Sequence, residues 1–274
     1  MCKKKVAVVI PCFNCGRLII ETISSVKNQT CKASEIIIVD DGSNDPESMK
    51  VLESLEADAE LRVLKKNNGG LASARNWGIS NAISDFILPL DADDVLAPSF
   101  IESCFAAFDA YPTVSIVATK VKMFGTKSAS LRLPKITKKN MLVMNCLVAT
   151  AMFKKEVWNL SNGYNENMVY GYEDWDFWLS CIELDLKFYR VPKELFLYRI
   201  REKSMVSELL EDKSRKKQMK QQLKLNHKNL FASEKINLFR TMYLKLFYLH
   251  ALQDVGRLFV SIFSANSGSK RFQA

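Results

Sequence analysis

Short apolar runs alternate with amphipathic stretches through the first 124 residues. KVAVVIP (5–11) is Val-rich, uninterrupted and ends in proline, the pattern of a strand buried on both faces. CGRLIIETISSVKNQT (15–30) places apolar residues at 18, 19, 23 and 26, close to helical spacing. SEIIIVDDGS (34–43) is a second buried strand ending in acids and a glycine turn. DPESMKVLESLEAD (45–58) predicts a helix with Asp45 as N-cap and Pro46 in the first helical position. Strand LRVLKK (61–66), helix LASARNWGISNAI (71–83), strand DFILPLD (85–91), helix SFIESCFAAFDAY (99–111) and strand VSIVATKVKMF (114–124) follow. Strands separated by helices imply βαβ units and a mainly parallel sheet covered on both faces. Ligands of such sheets bind outside the carboxyl ends of the strands. The polar punctuation falls there: 11–14, 40–41, 67–70 and 91–94.

Beyond residue 125 the alternation loosens. GTKSASLRLPKITKKN (125–140) reads as a mobile loop and MLVMNCLVATAMF (141–153) as a buried apolar stretch. YGYEDWDFWLSCIELDL (170–186) predicts a helix with Trp175, Trp178, Leu179, Ile182 and Leu186 on one face. Its acids at 173, 174 and 176 occupy the first turn, where the helix dipole favours them.

The 274 residues are 48% hydrophobic and 25% charged, an ordinary soluble composition. The apolar run after the N-terminal lysines breaks at Pro11, too early for a signal core. No window holds 18 uncharged apolar residues, so no spanning helix is expected and the expected location is cytoplasmic. The net charge of +9 is uneven: residues 205–274 hold 13 Lys and Arg against 5 Asp and Glu. The body is nearly neutral and the basicity belongs to the tail. No recognisable nucleic-acid module accompanies it, so no nucleic-acid partner is expected.

Seven scattered cysteines argue against a disulfide framework. Cys12 and Cys15 form a C-x-x-C, but a zinc site needs about four ligands. The only histidines, His227 and His250, lie far along the chain, so the pair reads as two reduced thiols in a loop.

FILPLDADDVL (86–96) drives an apolar strand into Asp91, Asp93 and Asp94. Carboxylates gathered there suit a hard divalent cation; Mg²⁺ or Mn²⁺ takes one or two of them and completes its shell with water and phosphate oxygens. A solvated turn capping the next helix is the bland alternative. Asp40 and Asp41 end another strand and could accept from a base or ribose hydroxyls. Arg75 could pair with phosphate or brace the aspartates. Neither G-x-G-x-x-G after the first strand nor a P-loop is present, which disfavours dinucleotide and P-loop phosphate binding.

VAVVIPCFN, EIIIVDDGS, NNGGLASARNWGI, FILPLDADD and YGYEDWDFW occur in that order. Together they resemble the family 2 glycosyltransferases, inverting hexosyl-transferring enzymes of the GT-A fold, over about residues 5–205. The resemblance implies an α/β fold of the Rossmann-like GT-A type, a mixed, mainly parallel sheet flanked by helices, plus a helical C-terminal extension. It implies a catalytic domain over 1–205, with a nucleotide-binding half (about 1–124) and an acceptor half (about 125–205). Residues 206–274 would form the basic amphipathic extension. By the same resemblance Pro11, Phe13, Asn14 and Glu21 line the nucleotide pocket. Asp40 and Asp41 contact base and ribose, and Asn67, Gly69 and Arg75 lie along the nucleotide. Asp91 and Asp93 form the D-x-D motif that meets ribose, sugar and a Mn²⁺ or Mg²⁺ ion. Asp174 matches the catalytic base, with Glu173 and Trp175 near the acceptor. The implied reaction takes a sugar from a nucleotide-sugar, a UDP-sugar in most members, to a glycan or lipid-linked acceptor in cell-surface polysaccharide biosynthesis.

One departure is visible. YRIREKSM (198–205) places Arg201 where many members carry a metal- or phosphate-binding histidine. This weakens the expected hold on metal and lets Arg201 neutralise diphosphate directly. Two other readings carry their own discriminators. A sugar-1-phosphate nucleotidylyltransferase expects a Gly-rich basic loop after the first strand, which PCFNCGRL lacks. A non-catalytic binding protein expects eroded acids, whereas Asp41, Asp91, Asp93 and Asp174 are all in place. In the tail, 213–228 is basic and 236–263 is rich in large apolar residues. Two readings stand for it: peripheral contact with the inner face of the cell membrane, or packing on the body or a second subunit.

Overall fold

All seven residues of strand β1 (Val6–Cys12) are buried, and they sort by parity. Val6, Val8 and Ile10 point into one core; Ala7 and Val9 point into another on the opposite face. In this computed structural model, which describes residues 4–126, 128–201, 209 and 211–233, β1 lies inside one large sheet. It pairs in parallel with β2 (Glu35–Asp40) and with β4 (Phe86–Pro89), and β2 pairs in parallel with β3 (Arg62–Lys65). β6 (Val114–Gly125) and β9 (Lys187–Ile200) run parallel to each other. β8 (Met152–Lys154) joins the two halves, antiparallel to both β4 and β6. β5 (Val95–Leu96) is antiparallel to β9, and β7 (Ala129–Leu131) hangs on β6. The order is β3-β2-β1-β4-β8-β6-β9-β5. The expected mixed, mainly parallel sheet is therefore present.

Helices α1 (Leu18–Lys27), α2 (Pro46–Glu56) and α4 (Phe100–Ala110) cover the first face. Asp45 caps α2 by accepting from Ser48 N at 2.8 Å, as its position before Pro46 predicts. Helix α3 (Leu71–Asn81) lies on the other face. It packs so closely that a Cβ on Gly78 would stand 2.4 Å from Val9 Cγ1 and 2.9 Å from Val39 Cγ2. Two short helices, α5 (Lys138–Met141) and α6 (Lys155–Leu160), precede α7 (Glu173–Glu183), whose Phe177, Trp178 and Leu179 fill the second core.

Two readings are corrected here, and one strand was missed. The segment 125–140 is not only loop; it holds β7 and the first turn of α5, whose Thr137 cap accepts from Asn140 N. The helix read from 170 begins at Glu173, because Gly171 and Tyr172 hold left-handed φ values of 115° and 66°. Strand β9 was not visible as a strand. Its pairing with β6 skips from Val191 to Glu194, a bulge at Pro192, which has no N–H for the ladder and breaks the alternation.

α8 (Lys213–Asn226) and α9 (Lys228–Ser233) follow. α8 buries Met219 and Leu223 and leaves its lysines outside. The compact unit runs to Phe231, past the 205 limit drawn from the sequence. Of the second unit, 232–274, residues 232 and 233 are described, so the apolar tail positions of 236–263 lie outside the described residues. Among the described residues no helix is long and apolar enough to cross a membrane. Cys31 is disulfide-bonded, which the reading of the seven cysteines against a disulfide framework did not include.

Candidate active site

Parallel strands deliver their carboxyl ends to one edge, and the polar turns collect there. At the end of β1, Pro11 and Cys12 are buried while Phe13, half exposed, and Asn14 stand at the tip of a tight turn. Asn14 takes a left-handed φ of 50° and is stapled to the loop after β2. Its Oδ1 accepts from Asn44 N (2.9 Å) and Asp45 N (3.0 Å), and its own N–H donates to Ser43 Oγ.

The two aspartates ending β2 do different work. Asp40 accepts from Ser43 N at 2.9 Å. Asp41 turns inward: its carboxylate accepts from Gly69 N (2.9 Å), Gly70 N (2.7 Å) and Lys66 Nζ (2.7 Å). α3 has no side-chain cap of its own, and Asp41 supplies the negative charge its amino end favours. Three donors of the protein thus occupy Asp41, leaving Asp40 as the acid of the pair closer to the turn at 43. Asn67 is exposed beside Gly69, with its carbonyl accepting from Lys66 Nζ. Gly42 brings the two loops together, since a Cβ there would sit 2.8 Å from Asn68 N.

The carboxylates after β4 each have a counter-charge or donor. Asp91 Oδ1 accepts from Arg75 Nη2 at 2.7 Å. Asp93 Oδ2 pairs with Arg201 Nη2 at 2.8 Å. Asp94, buried, accepts from the backbone N–H of Arg199 at 2.8 Å, which locks the turn to the end of β9. Arg199 also donates to the Asp93 carbonyl (2.6 Å) and to Glu21. Burial and the neighbouring Asp91 push Asp93 above the ordinary carboxylate range despite Arg201 and Arg199. Burial, Asp91 and Asp93 push Asp94 well above it. Burial, more than the neighbouring acids, makes ionisation of these carboxyls costly. That suits an added divalent cation, and the hard oxygens of Asp91 and Asp93 match Mg²⁺ or Mn²⁺. Among the described residues no cluster of three or more ligating side chains forms, so phosphate and water would complete the shell.

Arg75 is the joint of the site. Wholly buried, it donates Nη2 to Asp91 and Nη1 to Glu173 Oε1 at 2.6 Å, with its guanidinium 5.4 Å from the Tyr164 ring centre. It is a brace rather than an exposed donor to a ligand, the second of its two sequence readings. Glu173 opens α7, and Asp174 follows. Asp174 Oδ2 accepts from Asn145 Nδ2 (2.8 Å) and Oδ1 from Trp175 N (2.7 Å). Burial and the adjacent Glu173 push its carboxyl up to about 7, against the pull of Arg75 and these hydrogen bonds. Trp175 does not share this edge. It is buried, stacks edge-on with Tyr172 and donates Nε1 to the Met141 carbonyl at 2.7 Å, tying α5 to α7.

Sequence reasoning missed Asn145, Arg199 and Lys66. Asn145 had a signal, a lone amide inside the apolar stretch 141–153. Arg199 stands two residues before Arg201 in the same quoted segment, and Lys66 ends a strand just before the Asn-Asn-Gly-Gly turn.

Residues 7–157, more than half of the chain, match the sequence profile of the family described as Glycosyl transferase family 2. The chain belongs to glycosyl transferase family 2. The chain is similar to the chondroitin synthase of Pasteurella multocida, 31% identical over 65% of this chain and 19% of the relative. It is also similar to the poly(ribitol-phosphate) β-N-acetylglucosaminyltransferase TarP of Staphylococcus aureus, 39% identical over 37% of this chain and 32% of the relative. The chain thus spans a third or less of the length of these two relatives. Among solved structures, S. aureus TarS 1–349 in complex with UDP-GlcNAc superposes with a TM-score of 0.62 at 20% identity. The match covers 74% of this chain and 60% of that one. That likeness confirms a GT-A-like fold for this family 2 member, the fold its motifs implied.

Proposed function

We propose that the chain transfers a sugar from a UDP-sugar to a hydroxyl of a glycan acceptor with inversion at the anomeric carbon, in polysaccharide biosynthesis. One observation carries this reading. Arg75 ties the Asp91–Asp93 turn to the helix that presents Asp174, whose carboxyl sits near 7. A carboxyl poised there suits general-base work at neutral pH. The names of the relatives, a chondroitin synthase and a poly(ribitol-phosphate) β-N-acetylglucosaminyltransferase, support polysaccharide synthesis. TarS crystals with UDP and with UDP-GlcNAc support a uridine donor.

In this mechanism Phe13 and Asn14 border the base, and Asp40 accepts from the nucleoside. Asp174 takes the proton of the acceptor hydroxyl. That oxygen attacks the anomeric carbon from the face opposite the diphosphate, and the bonding pair leaves with UDP. Arg201, paired with Asp93 in the structure, would turn to the departing phosphate. A Mg²⁺ or Mn²⁺ ion held by Asp93 and Asp91 would supply charge neutralisation for the leaving diphosphate. Asn145 and the backbone N–H of Trp175 keep the Asp174 carboxylate aimed, and Glu173 stays fixed by Arg75.

Calorimetric titration with UDP, GDP, CDP and TDP, each with and without Mn²⁺, tests the donor site. Selective, metal-dependent UDP binding that is lost in Asp93→Ala is the expected result. Preference for another nucleotide would overturn the uridine assignment, and no binding at all would overturn the donor site.

A further inference from the structure

The mechanism above leaves one chemically reactive pair unused, and it stands at the lip of the donor site. Cys12 Sγ and Cys15 Sγ lie 2.6 Å apart, about half an ångström beyond the 2.05 Å of a disulfide bond. The fold sets this distance. Cys12 is the last residue of β1, opposite Asp40 in the register, and its carbonyl accepts from Asp41 N. Asn14 and Gly16, both left-handed at φ 50° and 56°, turn the chain back so that Cys15 returns over Cys12. The Asn14 staples and the bond from Gly16 N to Ser48 Oγ (2.8 Å) hold that turn in place. The two thiols are unequal: Cys12 is 2% exposed, whereas Cys15 is partly open to solvent.

The geometry points to a modification site: Cys12 and Cys15 form an oxidisable dithiol that closes reversibly to an intrachain disulfide beneath Phe13 and Asn14. The oxidant is a small-molecule disulfide. The Cys15 thiolate attacks one of its sulfurs, forming a mixed disulfide and releasing one thiol. Cys12 then attacks the Cys15 sulfur, forming the internal bond and releasing the second thiol. The protons of both cysteines leave on the two released thiols. The pair gives up two electrons and the oxidant gains them. Contact with Cys12 lowers the Cys15 thiol and raises that of Cys12, which casts the exposed sulfur as attacker and the buried one as resolver. The needed movement is small, so both states are compatible with the fold. The remaining free cysteines in the described residues, Cys104, Cys146 and Cys181, are buried and isolated from one another in sequence.

The link to catalysis rests on the donor site proposed above. Cys15 follows directly on Phe13 and Asn14, which border the base in that reading, so a nucleotide seated there would cover the sulfur that must react first. Occupancy and oxidation then oppose each other reciprocally.

The full chain would be equilibrated in glutathione buffers of increasing glutathione disulfide, alkylated and peptide-mapped. The Cys12–Cys15 cross-link should appear reversibly while Cys104 and Cys181 stay reduced. Cys12→Ser should stop at a glutathione adduct on Cys15. Should that variant not fold, Cys15→Ser replaces it and should leave Cys12 unmodified. A persistent adduct on wild-type Cys15, or no reaction, would overturn the dithiol. Saturating UDP should slow closure several-fold. Equal rates with UDP shown bound would overturn the link to the donor site. Failure of UDP to bind, with closure intact, would tell against the donor reading alone.

Discussion

Asp174 is a carboxyl held where its charge is expensive, and both its use and its cost follow. An unfolded aspartate titrates near 3.9, whereas this one is pushed up to about 7 by burial and Glu173. The folded state therefore binds more protons between about pH 4 and 7, and its stability from this group falls as pH rises through that window. In the proposed reaction the same group must be ionised, so turnover should fall as pH drops below about 7. Asp174→Asn should lower kcat by roughly a hundred- to ten-thousand-fold. It should also raise the melting temperature at pH 8 more than at pH 5; no gain at pH 8 would refute the raised carboxyl. Arg75 presents the opposite case, a buried cation serving two acids. Arg75→Ala leaves Asp91 and Glu173 uncompensated and should cost about 3–5 kcal/mol, read as a drop in the denaturation midpoint. These residues were legible in the sequence to different depths. The acids at strand and helix ends were visible because charge seldom follows an apolar run without purpose. That Asp41 serves α3, or that Trp175 faces the core, depends on which way a side chain turns, and spacing does not encode this.

At the scale of elements, the strands and helices up to residue 124 were readable because each buried strand is a continuous apolar run and each helix carries its own apolar stripe. The later elements were not. β9 is interrupted by Pro192 at its bulge, and β8 is three residues inside a general apolar stretch. Their pairing partners are set by the sheet rather than by local pattern. The close seat of α3 on β1 and β2 gives a direct check. Gly78→Ala drives a methyl to 2.4 Å from Val9 and should destabilise by about 1–3 kcal/mol. A neutral result in thermal unfolding would show that α3 can lift without loss.

At the scale of the molecule, α8 and α9 are tied back to α7 by His227. Its ring nitrogens lie 3.2 Å from Asp176 and 3.0 Å from Glu183. Burial alone would lower its pKa, but the hydrogen bonds to the two acids outweigh it and the value is raised. The stabilisation is complete below the unfolded histidine value near 6.5 and fades as pH rises through the folded one. Corrected for intrinsic base-catalysed exchange, amide protection in 213–233 should be greater at pH 6 than at pH 8.5, and His227→Ala should erase that difference. This anchoring was beyond the sequence reading, which saw in the basic stretch only an extension with a partner to choose.

The Arg75 brace also dictates an order of assembly. Its two acids arrive at very different times on the ribosome: Asp91 lies 16 residues downstream and Glu173 lies 98. A nascent chain folded only through β4 offers Arg75 the Asp91 carboxylate but not yet Glu173. Only when α7 emerges can the pocket close around the guanidinium. Asp174, the proposed base, is next in sequence to the second acid and so is made together with the group that completes the brace.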